Sequence, residues 1–171
     1  SDVCSSDLDG TGGSANEVKK KKDELESLGY KTMMALIFVP PDVSLQRNIA
    51  RGEKGGRTLM PSIILRTWSA LFENIKEYQS IFGANLIIYK AYQEEDVLFP
   101  DFDPENPAVQ KAFFHPFKVR GKEKSKKEKQ VSLEKMRALN QKIRSQLSKI
   151  KTIKFDTPQQ IKQKLNRFVN A

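Results

Sequence analysis

Four arginines are spaced in a way that suits phosphate chemistry. Arg47 and Arg51 stand four residues apart, so a helix puts both on one face. Arg57 follows a glycine-bearing joint at Gly52–Gly56, and Arg66 lies in the next helical stretch. Guanidinium groups on a movable segment can close over a triphosphate and neutralise charge in the transition state. A solvated helix with a flexible loop would carry the same residues. The second group is Asp9-Gly10-Thr11-Gly12. Glycines let backbone N–H groups approach an anion, and a helix N-terminus behind them adds partial positive charge. An ordinary glycine turn reads the same way. No Gly-x-x-x-x-Gly-Lys-Ser/Thr occurs anywhere, so the turn is not a Walker A loop. Cys4 is the single cysteine and His115 the single histidine, which excludes a disulfide scaffold and a Cys- or His-rich metal site. No metal site is expected, and His115, within Phe113–Phe117, reads as a structural or surface residue.

The elements that must position these groups follow from periodicity. Ser14 or Asn16 can cap a helix over about Glu17–Leu28, and Gly29 stands where a C-terminal cap belongs. Met33–Val39 is short, apolar and closed by Pro40-Pro41, and reads as a strand buried on both faces. A helix over about Val43–Arg51 follows. Pro61 starts the next, whose apolar residues from Ile63 to Ile81 recur at helical spacing until Gly83. Asn85–Tyr89 is a second short apolar run. Strand, helical crossover and strand predict a parallel pair in an α/β sheet with a right-handed connection. Glu94–Pro107 carries three prolines and six acidic residues and reads as an irregular linker. Met136, Leu139, Ile143, Leu147 and Ile150 form a helical stripe, Thr152–Phe155 is a candidate short strand, and Asp156-Thr157-Pro158 is a helix start. No internal repeat organises the chain.

In this order the segments resemble the C-terminal half of zeta-toxin-like P-loop kinases. The match rests on Asp9-Gly10-Thr11, Leu25-x-x-Leu28-Gly29-Tyr30, Ala35–Val39, Arg47…Arg51…Arg57 and Asn85–Tyr89. The resemblance covers about residues 9–90 and implies a partial P-loop kinase fold. It implies an ATP- and Mg²⁺-dependent phosphotransferase acting on a nucleotide-sugar, nucleotide or polynucleotide acceptor, of a kind that also occurs in phage. Asp9, Gly10 and Thr11 would then bind the acceptor, and Arg51 (or Arg47) and Arg57 would be the lid arginines. The phosphate-cradling lysine and the catalytic base of the family would lie upstream of Asp9. The chain by itself is therefore expected to be inactive and to bind no ATP productively. A P-loop strand beside Met33–Val39 is also implied, and without it that strand has an unpaired edge and an uncovered apolar face, an aggregation hazard.

Ser1–Leu8 (SDVCSSDL) resembles a translated sequencing adapter and is set aside. The expected organisation is then a kinase part over 9–93, a linker over 94–122 and a basic helical extension over 123–171. Charge follows that division. Residues 1–110 hold 12 basic and 17 acidic side chains, whereas residues 111–171 hold 18 and 4. The basic part, residues 118–154 above all, is the rival working surface: a non-enzymatic, nucleic-acid-associated protein would use it through counterion release. No aromatic lies between Phe117 and Phe155, so such contact would be blind to sequence. The other reading has the stripe from Met136 to Ile150 pack on the body. No apolar run approaches the about 20 residues of a membrane span, and a cytoplasmic location is expected.

Overall fold

The structure, a computed structural model, describes residues 10–114 and 126–171, with the side chains of 126–132 outside that description. Two strands, β1 (Met34–Phe38) and β2 (Leu86–Lys90), pair in parallel with Met34 opposite Leu86 and Phe38 opposite Lys90. A parallel pair needs a crossover, and two helices supply it: α2 (Pro41–Glu53) and α3 (Pro61–Phe82). Ahead of β1 lies α1 (Ala15–Ser27). After β2 come α4 (Pro107–Phe113), α5 (Lys126–Leu147) and α6 (Pro158–Asn170). The fold is thus mixed α/β, mostly helical, with a small parallel sheet.

Local chemistry sets most of the boundaries. The Ser14 side chain accepts from the Glu17 N–H and opens α1. At the other end Gly29, at φ +91°, donates to the Glu26 carbonyl while the Tyr30 N–H reaches back to Leu25. Leu28-Gly29-Tyr30 is therefore a Schellman close, and helix termination alone accounts for it. α2 ends the same way, through Gly55 at φ +79° and the Gly56 N–H on the Arg51 carbonyl. α6 begins with a reciprocal capping box between Thr157 and Gln160.

The core forms around Phe38, whose ring lies against Trp68, Phe72, Tyr92 and Phe155 at centroid distances of 5.5–6.4 Å. Two expectations change here. β1 is covered on one face only: Leu36 and Phe38 are buried, whereas Ala35 and Ile37 are exposed. An apolar run does not by itself say how many faces are covered. Thr152–Phe155 is not a strand. Ile150–Thr152 makes a 3-10 turn, and the Asp156 N–H gives β2 a single backbone bond, to Ile88. The Asp156 carboxylate then takes the Ile88 N–H (2.9 Å) where a ladder would place a backbone carbonyl, and the ladder stops.

The stretch over 94–107 is irregular, as its prolines require, yet it is not a solvated tether. Phe102 is 3% exposed, and the N–H groups of Leu98 and Phe99 both donate to the buried Asp42 carboxylate at the start of α2. Ile143 of α5 is fully buried in the same apolar cluster as Phe38 and Trp68. Among the described residues no helix is long and apolar enough to cross a membrane.

Candidate functional site

The arginine segment is built on the end of α2. Arg47 is exposed, but its Nη2 donates to the Ala91 carbonyl at 2.6 Å, just past the last residue of β2. The guanidinium therefore lies at the carboxyl end of the sheet, where ligand crevices of open parallel sheets form. Arg51, one turn on, is exposed. The Schellman close folds the chain back so that a Cβ on Gly56 would meet the Arg51 Cγ at 2.6 Å. Arg51 and the residue preceding Arg57 thus touch, and both arginines belong to one joint. Arg57 and Arg66 are exposed as well.

The joint is less free than its glycines imply. The Asn48 side chain is buried and bonds the Leu59 backbone in both directions, accepting its N–H and donating to its carbonyl, each at 2.9 Å. One amide so replaces the pairing that an isolated loop lacks, and it returns the chain along α2 before Pro61. Arg57 sits on a loop anchored at both ends. Sequence alone could not show this, because an Asn within a helix is most often solvated.

Asp9 lies outside the described residues. Gly10 and Thr11 are exposed, and a Cβ on Gly10 would meet nothing within 4 Å. Gly12 has a packing reason to be glycine. Its φ is +65°, a Cβ there would come 2.7 Å from Leu71 Cδ1, and its carbonyl accepts from the Tyr78 hydroxyl at 2.6 Å. Beside it lies an open crevice of about 220 Å³ lined by Gly13–Asn16, Asn74 and Glu77. Glu77 gives that crevice an acidic wall, which disfavours a phosphate. The Ser14 hydroxyl is already used as the cap of α1.

The two candidate groups are separate. Gly12 packs at Leu71 of α3, while the arginine joint precedes Pro61, about 15 Å away along the α3 axis at 1.5 Å per residue. No hydrogen bond or ion pair joins them among the described residues. No group of three His, Cys, Asp or Glu side chains that could hold a metal occurs among those residues, and His115 and Cys4 lie outside them.

Among the described residues the one deeply buried carboxylate is Asp42, 1% exposed, and nothing in its sequence context singled it out. It accepts from the N–H groups of Val43, Leu98 and Phe99. Burial pushes its carboxyl above the usual range, against the pull of those three donors toward the charged form. Its partners are all backbone, so its work is to pin the loop after β2 onto α2. No family model, curated protein or solved structure matches the chain.

Proposed function

We propose that this chain is part of an ATP-dependent phosphotransferase of the zeta-toxin-like P-loop kind, acting on a nucleotide-sugar, nucleotide or polynucleotide acceptor. The observation that carries the reading is Arg47 on the Ala91 carbonyl. It ties the arginine face of α2 to the carboxyl end of a parallel sheet, the end at which ligands bind in open α/β sheets. Arg51 and Arg57, on the joint beside it, would face the transferring phosphoryl group and neutralise its developing charge. Asp9, Gly10 and Thr11 would hold the acceptor.

The residues described here do not themselves fit ATP and Mg²⁺. The sequence has no Walker A motif, Arg47 is engaged with a carbonyl, and the crevice beside Gly12 has an acidic wall. The chain alone is expected to be inactive. The reading is tested on the reading frame extended upstream of Asp9. It should encode a Walker A motif about 80–100 residues earlier, on a strand-turn-helix pattern. In that longer protein Arg57→Ala should lower kcat more than it weakens nucleotide binding. An intact frame without the motif overturns the proposal.

A further inference from the structure

The docked end of α5 shows what kind of surface this helix recognises. Ile143 is fully buried against the body. Its two neighbours in sequence lie on opposite flanks of the helix, 100° to either side. Lys142 pairs with Glu73 of α3 at 2.7 Å, and Arg144 pairs with Asp103 at 2.8 Å and with Glu105. The body thus receives an apolar knob between Glu73 on one flank and Asp103 with Glu105 on the other. Gln146, one turn on, exchanges two hydrogen bonds with Ser69 and fixes the register.

The same triplet stands one heptad earlier. Lys135-Met136-Arg137 repeats Lys142-Ile143-Arg144 at a spacing of seven, which returns to nearly the same helix face. Here, among the described residues, nothing covers it. Every residue from Leu133 to Ala138 is exposed, Leu133 at 50% and Met136 at 37%. The acidic residues that neutralise Lys142 and Arg144 lie on the body beneath the docked half. The charged neighbour Glu134 projects about 200° away from Met136, on the far side of the helix.

We propose that the Leu133–Arg137 stretch of α5 is a docking surface for an acidic protein partner, one that seats Met136 and Leu133 in an apolar groove flanked by carboxylates. Two arguments fix the occupant. The seam is continuous with an interface already formed, and that interface is acid-flanked on both sides. The charge is complementary to such a surface and like-signed with a second copy of the same helix. A nucleic acid would satisfy Lys135 and Arg137 but would leave Leu133 and Met136 without a use.

The test uses the full chain and fluorescence anisotropy. The probe is a fluorescein-labelled amphipathic helical peptide with a leucine seam and glutamates on both flanks, compared with the same peptide carrying glutamines. The glutamate peptide should bind tighter by about tenfold or more. Lys135→Glu/Arg137→Glu should abolish the difference, and Lys135→Gln/Arg137→Gln should reduce it. Met136→Ala should weaken binding about fivefold, while Lys149→Glu, elsewhere in the basic part, should change nothing. All these positions are exposed, so far-ultraviolet circular dichroism should be unchanged. Equal affinity for the two peptides overturns the proposal. So does a DNA duplex that outcompetes the peptide through Lys135 and Arg137 with no dependence on Met136. Sedimentation showing a dimer that Met136→Ala dissolves also overturns it, assigning the seam to self-association.

Discussion

The two faces of the β1–β2 sheet are made of similar residues and meet different fates. One face presents Leu36 and Phe38 beside Leu86 and Ile88, all buried under α3 and the aromatic cluster. The other presents Ala35 and Ile37 beside Ile87 and Tyr89. Of these Ile87 is buried, while Ile37 is 57% and Tyr89 45% exposed, and the register sets those two side by side. The edges differ in the same sense. β2 is closed along its outer edge by Asp156 and by Lys164, whose Nζ reaches the Leu86 carbonyl at 2.7 Å. β1 pairs with β2 alone among the described residues. Hydrophobic composition therefore sets which segments become strands, and the later helices decide which surfaces stay open.

The largest effect that this contrast predicts is at Phe38. Phe38→Ala removes a ring shared by four aromatic neighbours and should cost about 3–5 kcal/mol. Chemical denaturation followed by Trp68 fluorescence reads it directly. A loss near zero would mean that the inner face is not the organising core.

The edge contrast gives the next effect. Asp156 is nearly buried and serves the Ile88 N–H and the Lys164 ammonium together. Asp156→Ala leaves both without that partner, for an expected loss of about 1–3 kcal/mol. The sharper reading is hydrogen exchange. The Ile88 amide should lose protection, while the amides of β1 keep theirs if the two edges are independent. Loss of protection on both strands together would show one cooperative sheet and would dissolve the distinction between edges.

What the sequence disclosed, and what it did not, divides by range of interaction. Ser14, Gly29, Pro61, Gly83 and the Thr157 start were legible because caps and glycine closes depend on residues three to five positions away. The parallel pair was legible because its crossover is written in helical periodicity. The half-covered β1, the burial of Phe102 and the pinning of Leu98 and Phe99 by Asp42 were not. Each depends on partners beyond that local range, from 11 positions between Phe102 and Phe113, through 30 between Phe38 and Trp68, to 56 between Asp42 and Leu98. The candidate site behaves alike. That Arg51 and Arg57 lie on one joint follows from the glycine spacing. The bond of Arg47 to Ala91, 44 residues away, could be seen only in the fold. The heptad repeat of Lys-apolar-Arg in α5 was in plain view, yet it gained meaning only once Ile143 was found docked and Met136 was not.

The smallest effect on stability is expected at Ile37, and it isolates the outer face. The side chain is more than half exposed, and its neighbour across the strands is Tyr89, also exposed. Ile37→Lys keeps the strand backbone and adds a charge that an unpaired strand edge next to another copy cannot easily accept. Stability should change by no more than about 1 kcal/mol. Self-association should fall, because an apolar strip on a free edge is what draws a second chain to pair there. Sedimentation of wild type and variant over a range of concentrations separates the two faces cleanly. If Ile37→Lys unfolds the protein as Phe38→Ala does, the outer face is a second core, and the sheet is covered on both sides in solution. If it leaves both stability and association unchanged, the exposed strip is inert, and the contrast between the faces carries no consequence for assembly.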